Sequence, residues 1–181
     1  IIRAEDHIPQ TVLQTQIKEI PFLRDTTITV EALIPAAAQI SPSLEMFVPS
    51  AEFGEPQITY LSEQIFKEFG DFCGVLVGKE SLAASWYPTL RDSGKLIAEG
   101  LQTMGYVGHF DLDAIVDDAG QIYLLEVNTR RTGGTHVHEF AHFHFGPNYL
   151  NEVTLLSHDS LKSGNIRQID DLLNTIGGLL Y

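Results

Sequence analysis

Residues 106–128, YVGHFDLDAIVDDAGQIYLLEVN, restrict the fold more than any other stretch of the chain. Two runs rich in β-branched and apolar residues flank Asp117-Asp118-Ala119-Gly120, a turn signal, and the whole reads as a β-hairpin. Side chains alternate faces along a strand, so Asp111 and Asp113 share one face of the first strand and Glu126 and Asn128 one face of the second. A connection of two or four residues centred on Ala119-Gly120 sets Asp113 opposite Glu126 and Asp111 opposite Asn128. A slip of one residue would undo that pairing. In this register three carboxylates and a carboxamide crowd one patch of sheet. Like charges directly opposite one another destabilise a sheet, so the pattern asks for a cation. All the donors are hard oxygens, which favours Mg²⁺ or Mn²⁺ over zinc, with phosphate oxygens and water completing the shell. Arg130 and Arg131 follow and are suited to neutralising a phosphate or a carboxylate.

The rest of the chain supplies the setting. Its 181 residues suffice for one domain with a sizeable core, and 44% hydrophobic with 19% charged residues is an ordinary globular balance. No apolar run approaches a membrane span, and a net charge of −13 excludes nucleic acid as the expected partner. The single cysteine, Cys73, forbids an internal disulfide and fits a cytoplasmic setting. Spacing of apolar residues predicts a helix over about 9–18, strands at 27–35, 43–49 and 72–78, and an ambiguous segment at 57–68. A helix over 89–105 is predicted with Thr89 as cap, Gly105 as stop, and a stripe of Leu90, Leu96, Ile97, Leu101 and Met104. A short helix near 136–144 and one more near the C-terminus complete the set. Trp86 reads as a core anchor, Cys73 as a buried thiol, and Asp170-Asp171 as helix surface. The class is α+β, α/β by some schemes, around a mainly antiparallel sheet.

One motif competes with the oxygen patch. His138-Glu139-Phe140-Ala141-His142 spells H-E-x-x-H, the helical pattern of a zinc peptidase. A zincin needs a long helix and a third ligand downstream, yet Gly133-Gly134 and Gly146-Pro147 leave about ten residues between them. Glu152 is a possible third ligand that nothing in its spacing marks. His136, His138, His142 and His144 read equally well as satisfied polar groups on a half-buried helix.

The stretch from Gly105 to Gly134 resembles the C-terminal core of the ATP-grasp superfamily, the fold of carboxylate–amine and carboxylate–thiol ligases. In that family a Gly-rich lead enters a strand with a metal-binding Asp, and a second strand ends in E-x-N-x-R. The resemblance makes Asp113, Glu126 and Asn128 metal ligands and Arg130 the group that contacts phosphate or acyl phosphate. ITVEALI resembles the hinge strand that reads adenine, which places Glu31, Ala32, Leu33 and Ile34 on the purine. The loop after E-x-N-x-R lines the acceptor site in relatives, which makes Arg131, Thr132, Gly133, Gly134, Thr135 and His136 substrate-facing. The resemblance covers residues 10–145. It implies residues 1–26 as a remnant of the smaller lobe and 27–181 as the larger lobe with its C-terminal helix. It also implies ATP and Mg²⁺ or Mn²⁺ as cofactors, small-molecule carboxylate and amine substrates, and a homodimer as assembly. The implied activity is an ATP-dependent ligase of the carbamoyl-phosphate-synthase-like or amino-acid-ligase-like branch. The chain departs from the pattern where the family carries a Gly-rich phosphate loop and two lysines. The 181 residues alone are therefore expected not to turn over ATP. The competing readings are a non-catalytic nucleotide- or metal-binding module and the zinc hydrolase.

Overall fold

The structure, a computed structural model, describes residues 10–20, 33–36, 40–67, 71–159, 162 and 164–177. The chain divides into two compact units, Ile1–Pro35 and Ala36–Tyr181. In the first unit helix α1 runs over Gln10–Glu19, within a residue of the predicted span. The strand expected at 27–35 falls for the most part outside the described residues, as do Glu31 and Ala32, while 33–36 is neither helix nor strand.

The second unit is built on a six-stranded sheet with spatial order β5-β4-β1-β2-β3-β6. Its strands are β1 (Pro42–Val48), β2 (Gln57–Phe66), β3 (Phe72–Val77), β4 (Gly108–Val116), β5 (Ile122–Asn128) and β6 (Leu155–Leu156). Every pairing is antiparallel, so the α+β class read from the sequence is the one observed. Segment 57–68, ambiguous in sequence because its apolar residues suit either period, is the ten-residue β2. The two-residue β6 is too short to leave a period and was not foreseen.

The two faces of the sheet differ in chemistry. On one face Leu44, Met46, Val48, Leu61, Phe110, Leu112 and Ala114 meet helix α2 (Tyr87–Thr103) through Leu90 and Ala98. Each fully buried side chain of that size stabilises the fold by ~1.5–3 kcal/mol. Trp86 joins this core, as predicted. The helix starts two residues before Thr89, which therefore caps nothing: Trp86 stands at the N-cap without a side-chain bond and Pro88 sits in the first turn, where its missing N–H costs little. Gly105 follows the last turn with φ +85. Of the expected stripe, Leu90 is buried and Ile97 and Leu101 pack on the core, but Leu96 is 71% exposed and Met104 83%. Leu96 lies six residues from Leu90, which is off the 3.6-residue stripe.

The other face carries polar residues at its centre and a smaller apolar cluster toward β3. There Val75 and Val77 pack against Val137 and Ala141 of helix α3 (Thr135–Phe145) and against Tyr149. The 153–159 segment closes that side, with Ser157 bonded through both N–H and hydroxyl to Val75. Gly74 makes this possible: a Cβ there would fall 2.2 Å from the Ser157 carbonyl oxygen. Gly74→Ala is expected to destabilise the protein by ~2–3 kcal/mol, the upper range for overpacking, because the obstacle is backbone. Urea denaturation measures it, and a loss below ~0.5 kcal/mol would show that the segment moves freely. Helix α4 (Ile169–Ile176) lies near the C-terminus with Asp170 and Asp171 exposed in its first turn.

Candidate functional site: an oxygen-lined patch on the β4–β5 hairpin

The hairpin register is the predicted one at the site, for a reason the sequence did not give. Asp113 pairs with Glu126 and Asp111 with Asn128. The connection is a five-residue loop, 117–121, closed by Asp117 N–H to Gln121 O and Gly120 N–H to Asp117 O, with the Asp117 carboxylate accepting from Ala119 and Gln121 N–H. An odd loop shifts the pairing: Val116 meets Ile122 and Ala114 meets Leu124. A β-bulge then inserts Leu125 without a partner, and the ladder resumes with Glu126 on the polar face.

Strand β1 extends the patch. Ser43 lies opposite Asp113, and Glu45 opposite Asp111. Ser43 Oγ donates to Asp111 Oδ2 at 2.8 Å, and Gln64 Nε2 on β2 donates to Asp113 Oδ1 at 2.5 Å. Asn128 Nδ2 donates to both Asp113 Oδ2 (3.1 Å) and Glu126 Oε1 (3.2 Å), so the polarised amide hydrogens stand between the two carboxylates. Arg130 reaches back to Asn128 Oδ1 at 3.4 Å. Burial, then the neighbouring Asp111 and Glu126, pushes the Asp113 carboxyl up to about 7. Burial likewise raises Asp111, which is 2% exposed. Its Oδ1 is the buried side-chain oxygen that lacks a hydrogen-bond partner among the described residues.

A divalent cation fits this arrangement. The donors are carboxylate and amide oxygens, the negative charge is uncompensated, and a buried oxygen is left unmatched. Among the described residues no three His, Cys, Asp or Glu side chains close around a metal. A cation here would take Asp113 and Glu126, with Asn128 turning its oxygen inward, and leave further positions to water and phosphate. That is the Mg²⁺ pattern rather than a zinc cage.

The patch lines a cleft of ≈150 Å³ together with Ser62, Phe72, Thr132, Gly133 and Gly134. That is below the ~300–1,000 Å³ of pockets that enclose a whole ligand, and suits a hydrated ion with one phosphate. Of the residues expected to face substrate, Thr132, Gly133 and Gly134 reach the cleft beside Asp113, Glu126, Asn128 and Arg130. Arg131, Thr135 and His136 do not: Thr135 is buried beneath it, and His136 lines a separate apolar cavity of ≈590 Å³ between α3 and 153–157. Leu33 and Ile34 belong to the first unit. The sequence reading missed Ser43, Gln64, Glu45 and Tyr60. For Ser43 and Glu45 the signal was the alternation Ser43-Leu44-Glu45-Met46, polar and apolar at period two like the hairpin itself; Gln64 and Tyr60 lie on β2, the segment left ambiguous in sequence.

The histidines are otherwise engaged. His138 stacks on Tyr60 (ring centres 5.0 Å apart, 17° between planes), and its Nδ1 lies 2.9 Å from the Tyr149 hydroxyl. Burial holds the His138 ring below its ordinary pKa and pushes the Tyr149 hydroxyl up to about 12. Glu139 lies 3.7 Å from Arg131 in an exposed pair. Protein purified without chelator or added metal is expected to carry no stoichiometric zinc by elemental analysis. Zinc that disappears in a His138→Ala, His142→Ala double variant would restore the peptidase reading.

The architecture has known counterparts. Pyruvate carboxylase from Rhizobium etli (the T882A protein, with the allosteric activator acetyl coenzyme-A) superposes with a TM-score of 0.54 over 73% of this chain and 12% of that one, at 14% identity. N5-carboxyaminoimidazole synthetase from Staphylococcus aureus, complexed with ADP, gives 0.52 over 74% and 32%, at 15% identity. The fold is the ATP-grasp fold. The chain spans about a third or less of the length of either solved chain. No protein-family model and no curated protein matches the sequence. Among the described residues no helix is long and apolar enough to cross a membrane.

Proposed function

We propose that this chain is the ATP- and Mg²⁺-binding part of an ATP-dependent ligase that joins a carboxylate to an amine, ammonia or a thiol through an acyl phosphate. The observation that carries the reading is the pairing of Asp113 with Glu126, bridged by Asn128 and overhung by Arg130, on an ATP-grasp sheet. The ADP bound by the Staphylococcus aureus synthetase of the same fold supports a nucleotide here.

In this reading Asp113, Glu126 and Asn128 hold the metal, which when bound offsets the charge of the phosphates. Arg130 places a guanidinium beside the cleft, where it would steady the phosphate oxygens as charge moves off the transferred group. Gly133 and Gly134 present backbone rather than side chain along the cleft, which admits an acceptor close to the patch. Residues 31–34 serve as adenine hinge, and 1–26 as the remnant of a smaller lobe.

Titration of Mn²⁺ into wild type and Glu126→Ala, followed by the loss of the free-ion resonance signal, tests this. Removing one of two carboxylates should weaken binding by ~10–100-fold or more, since even outer-shell changes at metal sites cost that much. Equal affinity in the two proteins would sink the assignment.

A further inference from the structure

Glu45 lies at the centre of the site face, 0% exposed, and has no part in the proposed metal set. Both of its oxygens are occupied. Oε2 accepts from the Thr135 hydroxyl at 2.5 Å and from the Tyr60 hydroxyl at 3.2 Å, and Oε1 faces His109 Nδ1 at 3.1 Å. All three partners lead to one loop. Thr135 Oγ1 accepts the Thr132 N–H at 3.1 Å. The Tyr60 ring lies against Gly134, where a Cβ would come within 2.7 Å of the hydroxyl oxygen. His109 Nε2 stands 3.4 Å from a terminal nitrogen of Arg131.

The chemistry of these partners fixes the imidazole. A guanidinium only donates and the Glu45 carboxylate accepts, so His109 meets both contacts in one tautomer, with Nδ1–H toward Glu45 and a bare Nε2 toward Arg131. One buried carboxylate thus governs Thr135 directly, and Arg131, Thr132 and Gly134 through a single side chain each. Desolvating a carboxylate is costly, and an apolar side chain of similar volume would hold a sheet centre at least as well. What Glu45 adds is direction.

We propose that Glu45 is the positioning residue of the cleft wall, setting the 131–135 loop beside the metal patch and, through His109, the direction of the Arg131 guanidinium outside the cleft. The proposal rests on the reading of that loop as the acceptor wall. It predicts that the wall loosens when Glu45 changes, while the metal patch, built from β4 and β5, keeps its affinity.

The test compares the full chain with Glu45→Gln and His109→Gln by amide hydrogen exchange, ¹⁵N spectra of the imidazole and of the arginine side chains, and Mn²⁺ titration. In Glu45→Gln, exchange at Thr132 and Thr135 should rise roughly 10-fold or more while β4 and β5 are unchanged, because local opening is independent of the sheet. The His109 signal should move from the Nδ1–H to the Nε2–H tautomer, and Mn²⁺ affinity should stay within about 3-fold. A merely structural role would not shift the tautomer. His109→Gln cuts only the outer arm, so it should free the Arg131 guanidinium and leave Thr135 protected, and it decides the matter if Glu45→Gln fails to fold. Unchanged loop exchange and tautomer in the first variant, or an unchanged Arg131 signal in the second, would overturn the proposal. Wild type that binds no Mn²⁺ while the loop responds as expected would overturn the metal reading and uphold the positioning role.

Discussion

Deletion of Val127 is expected to abolish divalent-cation binding, and deletion of Leu125, two residues earlier in the same strand, to preserve it. Both residues are exposed and apolar on edge strand β5, so propensity and burial do not tell them apart. Register does. Leu125 is the unpaired residue of the bulge; without it Ala114–Leu124 and Asp113–Glu126 become consecutive pairs of a regular ladder, and every site residue keeps its face. Val127 pairs with Leu112; without it Asn128 is drawn into that position and turns to the apolar face, with Arg130 displaced behind it. Loss of one ligand and reversal of the following residues should weaken Mn²⁺ by ~100-fold or more, while removal of Leu125 should leave affinity within about 3-fold and stability within ~1 kcal/mol. Comparable Mn²⁺ binding by the two deletions would show that the register does not build the site.

The same residues show how far the sequence could be read. The hairpin was legible because polar and apolar residues alternate strictly from His109 to Ala114 and because Asp117 to Gly120 mark the turn. Its pairing was reached from an even-length connection. The five-residue loop and the Leu125 bulge offset one another, and neither leaves a period in a stretch where Tyr123, Leu124 and Leu125 are all apolar. Strand β2 was unreadable because both its faces are covered in part, which blurs the alternation. Glu45 was missed in the sequence because its partners Tyr60, His109 and Thr135 come from three other elements. Local pattern assigns a residue to a face; only the assembled sheet shows which faces meet. Thr89 was read as a cap from residue type, and Trp86-Tyr87-Pro88 started the helix earlier because the Trp86 ring is buried in the core.

Asp113→Asn should make the metal-free protein more stable above neutral pH and take away its response to Mn²⁺. Asp113 has a folded-state pKa of about 7 against 3.8 for the free side chain, raised by burial first and then by Asp111 and Glu126. The folded state therefore holds its proton through a window in which the unfolded chain has released one. Below the unfolded value both states are protonated and the native patch is at its most stable. Stability then falls as pH rises from about 4 to about 7, and above that range the charged carboxylate bears the full cost of its surroundings. One pKa unit corresponds to ~1.4 kcal/mol, but the group is only half-buried, and discounting for solvent screening leaves ~1–2 kcal/mol. The amide variant lacks that term. Its melting temperature at pH 8 should exceed that of wild type by ~2–6 °C for a chain of this size, with the difference gone at pH 4. Saturating Mn²⁺ should reverse the order, since ligand at 100 times its dissociation constant stabilises the binding protein by ~2.7 kcal/mol and the non-binding one by nothing. Thermal denaturation at pH 4 and 8, with and without Mn²⁺, measures all four corners. A variant less stable than wild type at pH 8 without metal would mean that Gln64 and Asn128 already satisfy the Asp113 carboxylate, and that the patch has no need of a cation.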